Sequence, residues 1–403
     1  MKHIFYLLDG FTPMSLKREL STIYDEKHKR ENFLEKLSKR SLFFKNCYGY
    51  GETYSTVYSM INGKNIYDNY CDAPEILFSF KKHYSLIDHY KNRSFKTIYF
   101  RNAKAHYPTN GFYNRFNKSF AKSFDHYCLK KKNINYDLKN YLLSNNNFRD
   151  YNNKFNVFYF IHDMTFHDDK MVYNGNIRQH FKAFDKASKK VNSNLKLLNY
   201  NKSKDTLFFL SDHGLSTKPY NKIHTEKFLS ENKYENYYKS MFLDEKIKFV
   251  FFINSPKIKK KVINQYVNPS NIFSIIIEYN NKQFKYFYKK IKKILNETII
   301  ISLKNAKASK YGNYILNNIF HFHFIKISPN MKYIYSHKHK YNCLIEKDNT
   351  FKRISFNKLD KQLIRKIKNY YNFKNLFKKV SFFFISYLIK FSSKIVRKLK
   401  IYK

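Results

Sequence analysis

A carboxylate and an imidazole directly follow one short apolar run. Residues 207–210 lead into Ser211, and then into Asp212 and His213 before Gly214. A carboxylate and an imidazole from one turn form a normal half-site for Zn²⁺ or Mn²⁺. The alternative is a polar strand end without a ligand, and the pair alone does not decide between the two.

Two other apolar runs end in residues of the same chemical types. Asp9 and Gly10 follow the first run, where an ordinary Asp-Gly turn is an equal explanation. His162 and Asp163 follow the other run. Asp163 and His167 are four residues apart, so one helical turn could direct both side chains to one ion. The alternative is a solvated acidic loop in which His162 is a bystander.

A hydroxyl residue stands at the start of a helical pattern. Residues 46–52 contain two glycines and lead into Thr53, and the helical pattern then runs to Asn62 and Gly63. A hydroxyl at a helix start lies beside free backbone N–H groups at the positive end of the helix dipole. Thr53 is therefore either the N-cap of this helix or a nucleophile whose alkoxide a metal stabilises. Spacing alone favours the cap.

Strand and helix patterns alternate along most of the chain. Buried strands are predicted at residues 4–8, 97–100, 157–161, 207–210 and 249–253. Helices are predicted at residues 14–37, 54–61, 75–90 and 177–198. The alternation predicts an α/β fold with a mostly parallel central sheet and helices on both faces. In such sheets the ligand site lies beyond the carboxyl ends of the strands, where the acidic and imidazole residues stand.

Beyond residue 300 the alternation weakens. Residues 299–303 and 319–325 are candidate strands of a smaller C-terminal region. Residues 361–403 contain 13 Lys or Arg and no acid. This tail suits either an amphipathic helix at an anionic membrane surface or a solvated helix packed on the preceding domain.

The net charge of +47 invites a nucleic-acid interpretation, which the composition weakens. Only 11 of the 77 basic residues are Arg, the side chain that recognises phosphate and base edges bidentately. Lys, Asn, Tyr, Phe and Ile are enriched together, as A/T-rich codons would produce. We therefore expect no specific nucleic-acid partner. With 43% hydrophobic and 19% aromatic residues, the chain also has ample material for a folded core.

The cysteines and the N-terminus indicate a cytoplasmic protein. Cys47, Cys71, Cys128 and Cys343 are scattered, which argues against a zinc ribbon, an iron–sulfur site and a disulfide framework. The apolar run at residues 4–8 is too short for a signal-peptide core, and no run of 18 apolar residues exists. If the tail binds lipid, attachment would be peripheral, at the inner face of the membrane.

Four motifs in this order resemble the alkaline phosphatase superfamily, especially its sulfatase-like branch. Thr53, Thr56 and the Asn62–Gly63 pair have the spacing of its nucleophile motif, which is Thr, Ser or Cys, then Ser or Thr, then Thr-Gly. Asp9 resembles the metal-binding aspartate of the family's first strand. Residues 211–214 resemble its Ser-Asp-His-Gly metal motif.

The fourth motif is residues 162–167. It is similar to the His-Gln-Met-Gly-Ser-His segment of the phosphoethanolamine transferases. Its Asp163 and His167 also match the Asp-x-x-x-His spacing of nucleotide pyrophosphatase/phosphodiesterases. His224 stands about where the transferases carry another active-site histidine. The resemblance covers residues 1–290.

The resemblance implies an alkaline-phosphatase-like fold and a site for one or two divalent ions, Zn²⁺ or Mn²⁺. One ion would be held by Asp9, Thr53, Asp212 and His213. A second would be held by Asp163, His167 and His224. Thr53 would be the nucleophile, while Lys64 and His162 would contact the substrate.

The function implied is a metal-dependent phosphotransferase or phosphodiesterase that acts on a phosphate ester of a glycan or lipid headgroup. Sulfatases carry a Cys-x-Pro-x-Arg motif, whereas this chain has Thr53 and, four residues on, Val57. Two alternatives stay open: a sulfuric-ester or phosphomonoester hydrolase of the same fold, and a non-catalytic basic binder of membrane or nucleic acid. The predicted domains are a catalytic domain at 1–295, a small α+β region at 296–360 and the basic tail at 361–403.

Overall fold

The computed structural model describes most of the predicted core. The described residues are 1–13, 16, 31–50, 53–64, 84–102, 120–129, 138, 142, 155–167, 169, 171–172, 177–214, 247–281, 286–295, 297–304, 322–329, 331–336, 341–346, 351–370 and 372.

An eight-stranded sheet forms the centre of the fold. Its strands are β1 (Lys2–Leu8), β2 (Leu42–Cys47), β3 (Lys96–Asn102), β4 (His126–Leu129), β5 (Val157–Asp163), β6 (Thr206–Leu210), β7 (Phe251–Asn254) and β8 (Lys261–Val267). Their spatial order is β4-β3-β5-β1-β6-β7-β2-β8. Only β7 pairs antiparallel with its neighbours in this sheet as described, so the prediction of a mostly parallel sheet is confirmed.

Six helices accompany the sheet in the described part of the chain. They are α1 (Phe33–Lys39), α2 (Thr53–Asn62), α3 (Leu86–Lys91), α4 (Ile177–Leu197), α5 (Pro269–Tyr279) and α6 (Phe287–Ile294). Two predicted helices were wrong as continuous elements. Asn32 and Ser85 have extended backbones and cap α1 and α3 with their side chains, so the predicted helices 14–37 and 75–90 do not run through these positions.

Both faces of the sheet are covered, because alternate strand residues point to opposite sides. In β1, Phe5 and Leu7 pack in a core with α2, α3, α5 and α6. Ile4, Tyr6 and Leu8 pack in a second core with α1 and α4. The prediction of helices on both faces of the sheet is therefore confirmed. The same alternation of side chains decides which residues at the strand ends reach the candidate site.

A second, antiparallel sheet follows. Its strands are β9 (Ile299–Lys304), β10 (Phe322–Ile327), β11 (Met331–Ser336), β12 (Tyr341–Glu346) and β13 (Phe351–Arg353). Helix α7 (Lys361–Tyr370) packs on this sheet through Leu363 and Ile367, and Lys326 forms an ion pair with Asp360 at 2.8 Å. The first ten residues of the predicted tail thus bury two apolar side chains, Leu363 and Ile367, within the protein. Residues 373–403 lie outside the described part, and the domain boundaries at 295 and 360 stay predictions.

No helix among the described residues combines the length and the apolar character needed to cross a membrane.

His3 is the most deeply buried titratable group at the start of β1. The rings of Tyr90, Phe95, Phe208 and Tyr279 surround it, and its Nδ1 lies 2.9 Å from the Tyr90 hydroxyl. Burial lowers the pKa of His3 to about 3, and nearby positive charges reinforce the effect. The folded protein therefore keeps this imidazole neutral at pH values where the unfolded chain binds a proton.

We predict that His3 makes the protein less stable as the pH falls. Between pH 6.5 and about 3 the unfolded state binds the extra proton, so the free energy of unfolding drops by about 1.4 kcal/mol per pH unit from this group. His3→Phe should remove that part of the slope in urea unfolding measured by circular dichroism. Tyr90→Phe, which keeps the imidazole, should retain the slope, and an unchanged slope in His3→Phe would refute the assignment.

Candidate active site

The candidate active site lies where three neighbouring parallel strands end. β1 pairs in parallel with both β5 and β6, so the carboxyl ends of all three strands meet at one edge of the sheet. Asp9 follows β1, and Asp212 and His213 follow β6 after Ser211. The amino terminus of α2 brings Thr53 to the same edge. Residues more than 200 positions apart thus form one cluster.

Asp9, Asp212 and His213 form a compact set of metal-ligand atoms. One oxygen of each carboxylate and one imidazole nitrogen all lie within 4.8 Å of one another. His213 Nε2 is 3.4 Å from Asp212 Oδ2 and 3.8 Å from Asp9 Oδ1. Both carboxylates are fully buried, and His213 is 8% exposed. Two carboxylates this close, away from water, require positive charge between them.

Backbone amides hold Asp212 in its orientation. Its Oδ1 accepts hydrogen bonds from the Gly10 N–H at 3.0 Å and from the His213 N–H at 2.9 Å. Gly10 has φ +71°, a conformation that glycine adopts without strain. The Asp-Gly pair after β1 therefore does more than turn the chain, since its glycine N–H holds the neighbouring strand's carboxylate.

The hydrogen bonds of His213 direct one ring nitrogen into the cluster. Its Nδ1 lies 2.7 Å from the Gly214 carbonyl oxygen, to which only a protonated nitrogen can donate. In the neutral ring this leaves the Nε2 lone pair facing Asp9 and Asp212. An imidazole fixed in this way is the form in which histidine binds metal ions.

Thr53 directs its hydroxyl into the same cluster. Its Oγ1 lies 3.3 Å from Asp9 Oδ2 and 3.2 Å from His213 Nε2. Among the described residues these are its hydrogen-bond partners, so the hydroxyl does not cap the backbone of α2. The helix nevertheless places Thr53 at the positive end of its dipole.

Two more imidazoles surround Asp9. His162 Nε2 donates a hydrogen bond to Asp9 Oδ2 at 2.8 Å, and His167 Nε2 lies 4.0 Å from Asp9 Oδ1. Burial alone would raise the pKa of Asp9, but the His162 hydrogen bond and the charges of His162, His213 and His167 outweigh burial and hold that pKa well below its usual range. Asp9 is therefore an anion in this site.

The residues present fit a divalent cation. Asp9 Oδ1 and Asp212 Oδ2 are buried and have no hydrogen-bond partner among the described residues. Orphaned carboxylate oxygens are costly to bury, and a cation between them would remove that cost. With Thr53 and His213, they offer three oxygens and one nitrogen, a donor set that suits Zn²⁺ or Mn²⁺.

The structure does not bring Asp163 to this cluster, contrary to the predicted second ion site. Side chains alternate along β5, so His162 points to the face that carries Thr53 and Asp163 points to the opposite face. Asp163 Oδ2 accepts a hydrogen bond from the Tyr6 hydroxyl, and its Oδ1 accepts two from Thr165, at 2.9 and 2.5 Å. The Asp163 carboxylate thus fixes the loop that leads to His167 and is not available as a ligand.

Other predicted site residues have different outcomes. His167 lies beside Asp9 and is 25% exposed, the most open of the three histidines around Asp9. Lys64 follows the far end of α2, about 16 Å along the helix from Thr53, so the structure does not bring it to the cluster. His224 lies outside the described residues.

Sequence reasoning missed the residues that support Asp163 from below the site. Asn194 of α4 donates a hydrogen bond from Nδ2 to the Tyr6 hydroxyl at 2.8 Å, and its Nδ2 lies 3.5 Å from Asp163 Oδ2. A polar residue on the buried face of the amphipathic helix α4 is the signal that could have located it.

The fold is similar to those of solved structures with little sequence identity. An alkaline phosphatase superfamily protein from Vibrio parahaemolyticus is 10% identical, with a TM-score of 0.54 over 92% of this chain and 85% of that chain. The lipoteichoic acid synthase LtaP from Listeria monocytogenes is 12% identical, with a TM-score of 0.55 over 94% and 91%. A candidate sulfatase, yidJ, from Bacteroides fragilis is 10% identical, with a TM-score of 0.56 over 94% and 95%.

No family model and no curated protein sequence matches the chain. At identities of 10–12% the likeness concerns the fold, and it extends over more than nine tenths of this chain. The four sequence motifs predict the same family. The chain has the fold of the alkaline phosphatase superfamily, as its sulfatases and the synthase LtaP do.

Proposed function

We propose that this protein is a metal-dependent phosphotransferase or phosphodiesterase in which Thr53 is the nucleophile. One observation carries the proposal: the Thr53 hydroxyl lies within 3.3 Å of both Asp9 and His213, inside a buried cluster in which one oxygen of each carboxylate, Asp9 Oδ1 and Asp212 Oδ2, lacks a hydrogen-bond partner among the described residues. A structural N-cap would have no reason to point its hydroxyl at a carboxylate and an imidazole.

One divalent ion would be held by Asp9, Thr53, Asp212 and His213. When bound, it supplies positive charge that favours the alkoxide of Thr53 and neutralises a phosphate oxygen. The ligand atoms of Asp9, Asp212 and His213 already lie close enough together to share one ion. Asp163, the first residue of the predicted second set, faces away, so we propose one ion in place of two.

Each of three side chains of the site has its own role in the proposed reaction. Thr53 Oγ1 attacks phosphorus, its proton passes to Asp9 Oδ2, which lies 3.3 Å away, and the phosphorus–oxygen bond to the leaving group breaks. His162 holds Asp9 in place through its hydrogen bond to Oδ2. His167, at the more open side of Asp9, is placed to give a proton to the departing oxygen. Water or an acceptor hydroxyl then releases the phosphoryl group from Thr53.

The residues around Thr53 favour phosphate esters over sulfate esters. The oxidised nucleophile of sulfatases forms from Cys or Ser, and a threonine cannot form that aldehyde hydrate. Val57, four residues after Thr53, stands at the arginine position of the sulfatase motif. It is 3% exposed in the core beneath α2, so it provides neither charge nor contact to a substrate.

The substrate class is a phosphate ester of a glycan or a lipid headgroup. LtaP, a protein of similar fold, is named as a lipoteichoic acid synthase, and yidJ is described as a candidate sulfatase. These names support an anionic ester as the substrate in general terms. The Thr53 nucleophile then favours the phosphate ester.

We predict that the protein binds one equivalent of Zn²⁺ or Mn²⁺ and that Asp212→Asn abolishes binding. The amide oxygen of Asn can still accept the hydrogen bonds from Gly10 and His213, so the fold should survive while the ligand charge is lost. Asp163→Asn is the matched control and should bind the ion as the unmodified protein does. Elemental analysis and titration calorimetry measure both, with circular dichroism to check folding.

Two equivalents in the unmodified protein, falling to one in Asp163→Asn, would contradict the single-ion site and restore the predicted second set of ligands. Full metal content in Asp212→Asn would remove the site altogether.

We also predict that Thr53→Val loses activity toward a p-nitrophenyl phosphodiester by about 10³-fold or more, because the isosteric side chain lacks the nucleophilic oxygen. Thr53→Ser keeps an oxygen at the same position and should retain activity within about a hundredfold. Steady-state kinetics with the metal-loaded enzyme measures both variants.

Equal activity of Thr53→Val and the unmodified enzyme would refute the nucleophile. Turnover of p-nitrophenyl sulfate that exceeds turnover of the phosphate esters would instead favour the sulfuric-ester hydrolase.

A further inference from the structure

A dense group of lysines lies at one side of the main sheet, away from the candidate active site. Two segments come together there: residues 255–261, which lead from β7 into the start of β8, and residues 286–293, which lie in and just before α6. Tyr288 of α6 donates a hydrogen bond to the Lys259 carbonyl at 3.3 Å, and Lys261 Nζ lies 5.2 Å from the centre of the Tyr288 ring. We call this surface the lysine edge; it consists of Lys257, Lys259, Lys260, Lys261, Lys289, Lys290, Lys292 and Lys293.

The density of lysines in the lysine edge exceeds the average for the whole chain. Residues 255–261 and 286–293 hold eight lysines among 15 residues, whereas the whole chain holds 66 among 403. This is about three times the average density. It contains no arginine and no acid. Compositional drift explains a lysine-rich chain, but it does not explain two separate segments that concentrate lysines on one surface.

The positive charge of this surface is largely uncompensated. Within the described part of the chain, Lys290 forms the one ion pair of the lysine edge, with Glu278 at 2.8 Å. The other seven lysines are exposed to solvent. Like charges held together on a surface repel one another, which costs stability unless an anionic partner offsets it.

Apolar and aromatic side chains stand among these lysines. Val262, next to Lys261 in the edge strand β8, is 53% exposed, and Tyr286, just before α6, is 44% exposed. Phe287 and Ile291 of α6 are buried in the core, so α6 presents its lysines outward while staying anchored to the domain. Lysines around a few exposed rings and methyl groups are typical of surfaces that rest on lipid headgroups.

The lysine edge begins at the end of the sheet opposite the candidate active site. β7 runs antiparallel to β6, and its last residue, Asn254, pairs with Leu207 near the start of β6. The lysines that follow Asn254 are therefore separated from Asp212 by the length of β6, about 16 Å. A partner bound at the lysine edge would leave Asp9 and Thr53 open to a substrate.

We propose that the lysine edge docks the protein on an anionic membrane surface. Lysines act as point charges toward lipid phosphates at about 1 kcal/mol each near the surface, without the bidentate geometry that nucleic acids select. Docking by this surface orients the active-site end of the sheet away from the point of first contact. It is independent of the proposed chemistry and of the predicted binding by residues 361–403.

The test compares two variants of the full chain with equal loss of charge. In the first, Lys260, Lys289, Lys292 and Lys293 are changed to Gln. In the matched control, four exposed lysines of α4 and the turn after it are changed to Gln, namely Lys182, Lys189, Lys196 and Lys204. Both are sedimented with phosphatidylcholine vesicles that contain a third of phosphatidylglycerol, and with pure phosphatidylcholine vesicles.

We expect the lysine-edge variant, which loses four lysines, to bind the anionic vesicles on the order of a thousandfold more weakly than the unmodified protein. The control variant should bind them nearly as well as the unmodified protein, and turnover of a soluble phosphodiester should be equal in all three. Binding by the unmodified protein should weaken as salt is added and should vanish on pure phosphatidylcholine.

Three results would overturn the proposal. Equal losses in both variants would show that total charge, not this surface, attracts the vesicles. Undiminished binding of the lysine-edge variant would assign any membrane contact to another segment, residues 361–403 included. Unchanged vesicle binding together with lost binding of a single-stranded oligonucleotide would assign the surface to nucleic acid.

Discussion

The burial of two carboxylates beside each other is the constraint on which the site depends. Asp9 and Asp212 stand at the ends of adjacent parallel strands, and neither is exposed to water. Two hydrogen bonds offset part of the cost of burying these carboxylates: one from His162 to Asp9, and one from the Gly10 N–H to Asp212. The oxygens left over, Asp9 Oδ1 and Asp212 Oδ2, face His213 Nε2, and the proposed divalent cation would complete the balance of charge there. In the proposed site, Asp9 would therefore both hold the ion and position the Thr53 hydroxyl.

Much of this arrangement could be predicted from sequence, because local rules decide it. A buried strand delivers its following residues to the carboxyl edge of a parallel sheet, and β1, β5 and β6 all end in acidic or imidazole residues. What could not be predicted depends on the register of the strands and on which face of the sheet each side chain reaches. His162 and Asp163 are adjacent in sequence, yet the pleat of β5 directs their side chains to opposite faces of the sheet. Asp163, which the spacing predicts as a metal ligand, therefore supports the loop after β5 instead.

Other differences have the same kind of cause. Asn32 and Ser85 read as ordinary polar positions within helical patterns, but their side chains bond the amides of the next turn and start new helices there. The apolar run of β7 carries no sign of its direction, since an antiparallel strand buried on both faces has the composition of a parallel one. Because β7 runs antiparallel to β6, the lysines after Asn254 lie at the end of the sheet opposite the candidate active site. The lysine edge and the candidate active site are therefore separate surfaces.

We propose that Thr53 becomes covalently phosphorylated during turnover. Acid quenching of the metal-loaded enzyme with a phosphodiester substrate, followed by peptide mass spectrometry, tests it directly. We expect phosphate on the peptide that carries Thr53, formed within one turnover and lost when the substrate is exhausted. Phosphate on another residue during turnover, or turnover with no phosphorylated peptide under conditions where the release step is slow, would contradict it.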